Sequence, residues 1–563
     1  MPNADGMSDE PTNAGRSSGG SLFLQIDGLG YEHLQLALER GVMPFLRSLL
    51  HQGVYRVQRW PCGLPGDTPS VQCALFYGRD DLIPGFSWFR KRDGRWMSCV
   101  NPLHLREITA KLDRGGCPGL LAGGTSYANV FSGGARRTFL TTSALLSSGG
   151  IRLLDALRFL VLMAAARARL RSLFADATEE IVTDLADRLT ALVLQRPRYR
   201  GGAFPLGRVG VNVVIRELAV AAARHDMAVG VPTIYINFGG YDLVGHNSGP
   251  RSWNALAALR GIDRAVARLF RAAASASRPY TVYVLSDHGM TPSIPAAVAF
   301  GEPLAAYVRR LVRDNGGPST APRPYLFQRL PYLNSLKLCL EDLETHLGPR
   351  LARVAVALHQ RLGGAPDGAT FPPVVTTVTG SLAHVYLLER PDQLDLDEVS
   401  ALQPDLVPGL LRHPGVGLVV GQRGGDVVAL GPRGSTTLTS PRRVHGEDPL
   451  APFGDPELIA EQLRRLAAVG ERGDLVVLGA YRGGQAVALE AQLGCHGGLG
   501  GDQAYPFLLH PSTVPVDLGD VRGARDLYPL LAALVRGTAL RPSPGPVARS
   551  APPPASSSAK VLV

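Results

Sequence analysis

The sequence predicts an α/β fold in which a mostly parallel sheet is flanked by helices. Three short apolar segments have the composition of buried strands, namely Leu22–Ile26, Thr233–Phe238 and Val282–Leu285. Helical periodicity follows the first two of them, over Tyr31–Gln52, which Pro44 interrupts, and over Trp253–Ala273. This alternation of strand and helix is typical of α/β proteins.

Length and composition indicate a globular protein with more than one domain. The chain has 563 residues, of which 45% are hydrophobic and 19% are charged, so it can bury a large core. We expect a disordered lead (1–20), a core (21–293 and 470–540) with a helical insertion at about 137–220, a mixed α/β insertion or cap (294–469) and a disordered tail (541–563).

The charge balance limits the kinds of partner. The net charge is +10 and the isoelectric point is about 9.5, which favours anionic substrates, membrane surfaces or nucleic acid. The arginines are scattered, and no basic block is interleaved with aromatic residues, so we expect no specific nucleic-acid binding. The six cysteines contain no C-x-x-C pair, which argues against a disulfide framework and against a Cys-type zinc site.

Two features bear on location. Residues 1–20 lack the basic and apolar regions of a signal peptide, and no stretch reaches the ~18 apolar residues of a transmembrane helix. We therefore expect a cytoplasmic protein. The segment 151–171 has an apolar face and an arginine-rich face, so two interpretations stay open: peripheral contact with a membrane, and a helical hairpin packed on the domain with a solvated basic face.

Polar side chains follow each of the three predicted strands. Asp27 follows the first, Asp242 and His246 follow the second, and Asp287 with His288 follows the third. Ligands bind at the carboxyl edge of open α/β sheets. The four-residue spacing of Asp242 and His246 also places both on one face of a helical turn.

Two further residues are candidates for this edge. Thr68 opens a predicted helix over Val71–Tyr77, where a threonine is commonly an N-cap, and this interpretation is favoured when the segment is taken alone. The same position suits a nucleophile that faces an anion, because free N–H groups there attract phosphate. We interpret the neighbouring Asp67 as a loop residue. His496 lies in a glycine-rich loop.

These residues together predict a site for two divalent cations. Three aspartates and three histidines provide enough ligands for two such ions and leave coordination positions open for water or substrate. Carboxylate and imidazole ligands suit zinc, while manganese and iron are alternatives. Thr68 is the candidate nucleophile.

Five segments resemble the alkaline phosphatase superfamily, and most closely its type I phosphodiesterase/nucleotide pyrophosphatase branch. They are I-D-G-L-G (26–30), T-P-S-V-Q-C-A-L-F-Y-G (68–78), Y-D-L-V-G-H-N-S-G-P (241–250), S-D-H-G-M-T (286–291) and C-H-G-G (495–498). The resemblance implies an alkaline-phosphatase-like core and hydrolysis of phosphodiester or pyrophosphate bonds in a small phosphate ester or nucleotide-like substrate. It also implies a phosphothreonine intermediate on Thr68.

The resemblance further implies how the ligands divide. One metal ion would be bound by Asp27, Thr68, Asp287 and His288, and the other by the remaining three residues. The set of the second ion is Asp242, His246 and His496.

The chain departs from the branch in one respect, which leaves other activities open. Members of the branch carry an asparagine about twenty residues after the nucleophile, and no asparagine occurs at 85–89; Asn101 and Asn129 are substitutes that do not match in position. A phosphomonoesterase, a phosphonate or sulfate ester hydrolase, and a non-catalytic binding protein that retains the fold are the alternatives. The segment T-P-S-V-Q lacks the C-x-P-x-R pattern of a formylglycine sulfatase.

Overall fold

The computed structural model describes residues 19–144, 170–193, 204–312 and 373–537. Its strands are β1 (Gly20–Ile26), β2 (Tyr55–Arg59), β3 (Ser87–Arg90), β4 (Arg95–Ser98), β5 (Thr125–Tyr127), β6 (Arg137–Phe139), β7 (Thr233–Phe238), β8 (Tyr280–Leu285), β9 (Thr291–Pro295), β10 (Val374–Thr379), β11 (Leu382–Leu387), β12 (Val416–Arg423), β13 (Asp426–Gly431), β14 (Gly434–Thr437), β15 (Arg443–Gly446), β16 (Leu475–Gly479), β17 (Tyr481–Arg482), β18 (Gln485–Ala488), β19 (Gly494–Cys495) and β20 (Phe507–Pro511).

The helices are α1 (Tyr31–Glu39), α2 (Pro44–His51), α3 (Thr68–Tyr77), α4 (Pro102–Arg114), α5 (Leu170–Val193), α6 (Phe204–Val209), α7 (Arg216–Ala228), α8 (Gly240–Ser248), α9 (Trp253–Ala274), α10 (Ala296–Phe300), α11 (Leu304–Leu311), α12 (Leu396–Leu402), α13 (Leu406–Arg412), α14 (Pro456–Ala467) and α15 (Ala524–Arg536). A π-helical turn, Gly210–Ile215, joins α6 to α7.

The main sheet has seven strands in the order β2-β20-β8-β1-β7-β5-β6. The last five of these strands run parallel, while β20 is antiparallel to both of its neighbours. The predicted fold class, a mostly parallel sheet flanked by helices, is confirmed. The three predicted strands are β1, β7 and β8, and the predicted break at Pro44 separates α1 from α2.

Both faces of this sheet are buried, because successive side chains of a strand point to opposite sides. Leu22, Leu24 and Ile26 of β1 join a core formed with α1, α2, α7, α8 and α9. Phe23 joins a second core formed with α3, α4 and α15. Asp27 follows the odd-numbered positions of β1, so it continues along the face that α3 covers.

A second sheet has seven antiparallel strands in the order β10-β11-β16-β12-β13-β14-β15. Helices α11, α12 and α13 cover one face, and α14 packs on the other. The described part of 294–469 thus has the mixed α/β character that the sequence predicts. Strand β16 lies within this sheet although it follows residue 470, and the domain boundaries as such stay predictions.

A small third sheet connects the two larger ones. Strand β9, which follows the end of β8, pairs in parallel with β18 and antiparallel with β19. Strand β19 ends at Cys495, so this sheet carries the next residue, His496, to the carboxyl end of β8.

Several predicted segments lie wholly or mostly outside the described residues. They are the lead 1–20 except for its last two residues, the tail 541–563, and the segment 151–171 except for its last two residues. Among the helices that the structure does describe, none combines the length and the apolar character needed to cross a membrane.

The N-terminus of α2 depends on a carboxylate from another helix. Asp263 of α9 is buried and accepts hydrogen bonds from the backbone N–H groups of Phe45 (2.9 Å) and Leu46 (3.1 Å). We expect Asp263→Ala to lower the free energy of unfolding by about 2 kcal/mol, since it leaves two buried donors unpaired. Asp263→Asn keeps one acceptor and should lose less. Urea denaturation followed by circular dichroism measures both, and equal midpoints for all three proteins would contradict this role.

Candidate active site

Seven side chains predicted from the sequence meet at the carboxyl end of the main sheet. Asp27 follows β1, Asp287 and His288 follow β8, and Thr68 begins α3. Asp242 and His246 lie on α8, which follows β7, and His496 follows β19. We call these the seven site residues.

The first group consists of Asp27, Asp287 and His288, all buried, with one potential ligand atom from each within 4.8 Å of the others. His288 Nε2 lies 3.6 Å from Asp27 Oδ1 and 3.5 Å from Asp287 Oδ2. Thr68 adjoins this group: its Oγ1 is 3.1 Å from Asp27 Oδ1 and 3.2 Å from His288 Nε2. The four residues predicted to share one ion are therefore brought together.

The second group consists of Asp242, His246 and His496, and its ligand atoms also lie within 4.8 Å of one another. Asp242 Oδ2 is 3.3 Å from His246 Nε2, one helical turn away, and Asp242 Oδ1 is 3.6 Å from His496 Nε2. The rings of His288 and His496 stack with centroids 3.9 Å apart. The two groups thus form one continuous cluster.

Each of the three imidazoles is oriented by a backbone carbonyl. The Nδ1 atoms of His246, His288 and His496 lie 2.8, 2.9 and 3.0 Å from the carbonyl oxygens of Gly494, Gly289 and Gly66. A carbonyl can only accept a hydrogen bond, so each Nδ1 carries a hydrogen, and in the neutral imidazole Nε2 then presents a lone pair to the cluster. Histidines that bind metal ions are held in this way.

Hydrogen bonds from the protein hold some oxygens of the three carboxylates and leave two others without a partner. Asp27 Oδ2 accepts a hydrogen bond from Asn237 Nδ2 at 2.7 Å, and Asp287 Oδ1 accepts from the N–H of Gly28 at 3.3 Å. Among the described residues, Asp287 Oδ2 and Asp242 Oδ1 are buried without a hydrogen-bond partner. Unpaired buried carboxylate oxygens are costly unless a cation satisfies them. The residues present therefore fit two divalent cations.

The electrostatics agree with this fit. Burial, and then the nearby charges of Asp287 and Asp242, raise the pKa of Asp27 well above its usual value. Burial and Asp242 raise the pKa of Asp287 to about 7. Burial would also raise the pKa of Asp242, but the neighbouring His246 and His496 lower it overall. Three carboxylates in one buried cluster repel one another, and positive charge among them relieves this repulsion.

The structure reverses the interpretation of Thr68 that its local sequence favours. Asp67 is the N-cap of α3, and its Oδ1 accepts a hydrogen bond from the N–H of Ser70 at 2.9 Å. The hydroxyl of Thr68 is thereby left to contact Asp27 and His288. The cap was missed because both residues of the pair Asp67-Thr68 are good N-caps, and local sequence does not decide between them.

A buried amide network beneath α3 was also missed by sequence reasoning. Gln72, one turn after Thr68, places its Nε2 3.1 Å from Gln25 Oε1 and 3.1 Å from Asn129 Oδ1, and its Oε1 accepts from the N–H of Val130 at 2.8 Å. It is fully buried. The network fixes α3 to β1, which leads to Asp27. The sequence indicates this network only through Gln25, a polar residue inside the apolar strand L-F-L-Q-I.

The glycine after Asp27 has a defined structural reason. Gly28 has φ +72°, which favours glycine, and a Cβ at this position would lie 2.7 Å from Asp242 Oδ1. Its backbone also supplies the N–H that holds Asp287. Gly28 therefore lets three aspartates approach one another.

The two asparagines considered as substitutes have other partners. Asn101 caps α4 through a hydrogen bond from the N–H of Leu103 and contacts His104. Asn129 belongs to the amide network. Neither side chain is free to take the part of the asparagine that the branch carries.

A family model described as Type I phosphodiesterase / nucleotide pyrophosphatase matches residues 198–332. The matched stretch contains two of the five motif segments, 241–250 and 286–291, and with them four of the seven site residues. The resemblance that the motifs predict is thereby confirmed. No curated protein matches the chain.

Solved structures show a distant similarity over almost the whole chain. Phosphonoacetate hydrolase from Sinorhizobium meliloti, in complex with phosphonoformate, is 14% identical with a TM-score of 0.46, over 92% of this chain and 96% of that chain. Murine ectonucleotide pyrophosphatase / phosphodiesterase 5 is 14% identical with a TM-score of 0.44, over 93% and 96%. The alkaline phosphatase PafA is 13% identical with a TM-score of 0.47, over 92% and 95%.

We expect Gln72→Leu to lower the free energy of unfolding by roughly 2 kcal/mol, because the N–H of Val130 loses its buried acceptor. Gln403→Leu is the matched control: this glutamine at the end of α12 is equally buried and donates to Glu389 at 2.7 Å. Both variants should unfold at lower denaturant concentration. Only the change at Gln72 should also alter the chemical shift or reactivity of groups at the cluster, and unaltered cluster histidine signals in the NMR spectrum would contradict the positioning role.

Proposed function

We propose that this chain is a metal-dependent hydrolase of phosphate esters that cleaves phosphodiester or pyrophosphate bonds with Thr68 as the nucleophile. One observation carries the proposal: the Thr68 hydroxyl lies 3.1 Å from Asp27 Oδ1 and 3.2 Å from His288 Nε2, at the edge of a cluster suited to two cations. The match to the phosphodiesterase and pyrophosphatase family supports the same conclusion.

The two groups of site residues would each bind one cation. Asp27, Thr68, Asp287 and His288 would hold one cation, and the second group would hold the other. Zinc is the expected ion, with manganese or iron as alternatives, because the donors are imidazole nitrogens and carboxylate oxygens. Bound divalent cations lower the pKa of a coordinated hydroxyl and stabilise negative charge that develops on phosphoryl oxygens.

The chain's own residues prepare Thr68 for attack. Its hydroxyl donates to Asp27 Oδ1, which orients Oγ1 and provides an acceptor for its proton. Thr68 is also the first residue of α3, so its N–H has no partner inside the helix and lies at the positive end of the helix dipole. This end favours the phosphoryl group of a substrate.

The reaction then proceeds in two displacements. Thr68 Oγ1 bonds to phosphorus as the bond to the alcohol or phosphate leaving group breaks, which forms a phosphothreonine that still carries the second ester group. Water next attacks phosphorus, the bond to Oγ1 breaks, and the hydroxyl is restored. The products are the released alcohol or phosphate and a phosphate monoester. The substrate we expect is a small phosphate ester or a nucleotide-like molecule.

Removal of the nucleophile is the direct test. We expect Thr68→Ala to lower kcat for bis-p-nitrophenyl phosphate by roughly 10³-fold or more, because it removes the hydroxyl oxygen that contacts both Asp27 and His288. Thr68→Ser keeps a hydroxyl and should retain much of the activity, and Thr190→Ala, an exposed threonine of α5, should retain all of it. Undiminished turnover by Thr68→Ala would refute the assignment.

The same assay separates the alternative activities. Faster turnover of p-nitrophenyl phosphate than of the diester would indicate a phosphomonoesterase. Preference for a phosphonate or sulfate ester would indicate those hydrolases, and no turnover of any ester by metal-loaded protein would indicate a binding protein.

Metal content tests the division of the ligands. We expect two divalent ions per chain by plasma mass spectrometry and about one in Asp242→Ala, because this change removes the carboxylate of the second group. Asp474→Asn is the control: Asp474 is a buried aspartate of the second sheet, paired with Lys91 at 3.1 Å, and its variant should keep both ions. Chelation should abolish turnover and re-addition of zinc should restore it. Two ions retained in Asp242→Ala would show that the second site is misplaced.

A further inference from the structure

Helix α5 is amphipathic in an unusual sense, because its charged side faces the protein. Arg208, which is fully buried, donates to Glu180 Oε2 at 2.7 Å and lies 3.6 Å from Asp184 Oδ1. One turn earlier, Asp176 forms ion pairs with Arg216 and Arg264. Arginines of neighbouring segments thus neutralise these three acidic residues of α5.

The opposite side of α5 is apolar and exposed. Six large apolar side chains have between 47% and 77% of their surface accessible: Phe174, Ile181, Val182, Leu185, Leu189 and Val193. We call these six side chains the α5 face. Their separations of three, four, seven and eight residues place them on one side of a helix.

The α5 face is too extended to be a scatter of single exposed residues. Its first and last members are nineteen positions apart, which at ~1.5 Å per residue spans roughly 28 Å. Singly exposed apolar residues are common on soluble proteins, whereas a continuous stripe of this length marks a contact surface.

The charge of the sequence on either side of α5 indicates what the α5 face contacts. The sequence on either side of α5, residues 145–169 and 194–203, contains seven arginines and one aspartate, a net charge of +6. An apolar helical face bracketed by arginine-rich sequence is complementary to an anionic lipid surface, which offers hydrocarbon below negatively charged headgroups. The inward ion pairs keep Asp176, Glu180 and Asp184 away from those headgroups.

We propose that the α5 face docks on an anionic lipid bilayer, with the helix lying parallel to its plane. The contact is peripheral: the apolar side chains enter the headgroup boundary while the ion-paired side stays on the protein. The α5 face is distinct from most of the segment 151–171, for which the sequence leaves membrane contact and a packed hairpin open, and the docking does not depend on the reaction proposed for the cluster.

Vesicle flotation with the full chain tests the proposal. The probes are vesicles of phosphatidylcholine alone and of phosphatidylcholine mixed with phosphatidylglycerol. We expect the protein to float with the mixed vesicles, to remain in solution with the neutral ones, and to be released by high salt. Leu185→Glu combined with Leu189→Glu should lower the bound fraction at least about tenfold. Val229→Glu combined with Val298→Glu, which alters two exposed valines elsewhere, should bind as the wild type does.

Other occupants of the α5 face give different results. If a second copy covers it, light scattering shows a wild-type dimer that the α5 double variant converts to a monomer, with no flotation, and the proposal is wrong. If residues 145–169 cover it, the wild type fails to float and the double variant melts at a lower temperature, which also overturns it. Phe174→Ala, a milder change, should weaken flotation while leaving the melting temperature unaltered; equal flotation of every variant would contradict the docking.

Discussion

Mutual repulsion of three closely spaced carboxylates, those of Asp27, Asp242 and Asp287, is the constraint on which the arrangement of the site depends. The main sheet brings these aspartates together, because each comes shortly after one of three adjacent parallel strands. Asp27 follows β1, Asp242 follows β7 and Asp287 follows β8. The protein supplies hydrogen bonds to both oxygens of Asp27 and to one oxygen of Asp287, and these bonds do not neutralise the charge. The main sheet therefore builds a site that bound cations would stabilise, and such binding would be linked to folding.

The imidazoles complement this arrangement through the backbone. All three carbonyls that orient them belong to glycines, at positions 66, 289 and 494. A Cβ atom at Gly494 would lie only 2.5 Å from Sδ of Met290. The backbone can therefore pass this close to the cluster only because residue 494 has no side chain. The backbone of these glycines therefore sets the direction in which each Nε2 atom points.

The sequence predicts those parts of the fold and the site that depend on neighbours along the chain. The strands, the break at Pro44 and the one-turn pairing of Asp242 with His246 follow from local periodicity, and the structure has them. The position of β16 in the second sheet and the contact of Gln72 with Gln25 could not be predicted, since both depend on partners far apart in sequence. Neither periodicity nor composition identifies such partners in a single sequence.

In the segment D-T-P-S (67–70), either Asp67 or Thr68 could cap α3. Asp67 is the cap, and Thr68 contacts the cluster. Pro69 has no N–H, so the first turn of α3 offers few donors, and Asp67 takes that of Ser70. If Thr68 were the cap, its hydroxyl would be engaged by the helix and would point away from Asp27. Because the carboxylate one residue earlier performs the capping, Oγ1 stays in contact with the cluster while the start of α3 remains rigid. The nucleophile role proposed for Thr68 therefore depends on Asp67 as the cap of α3.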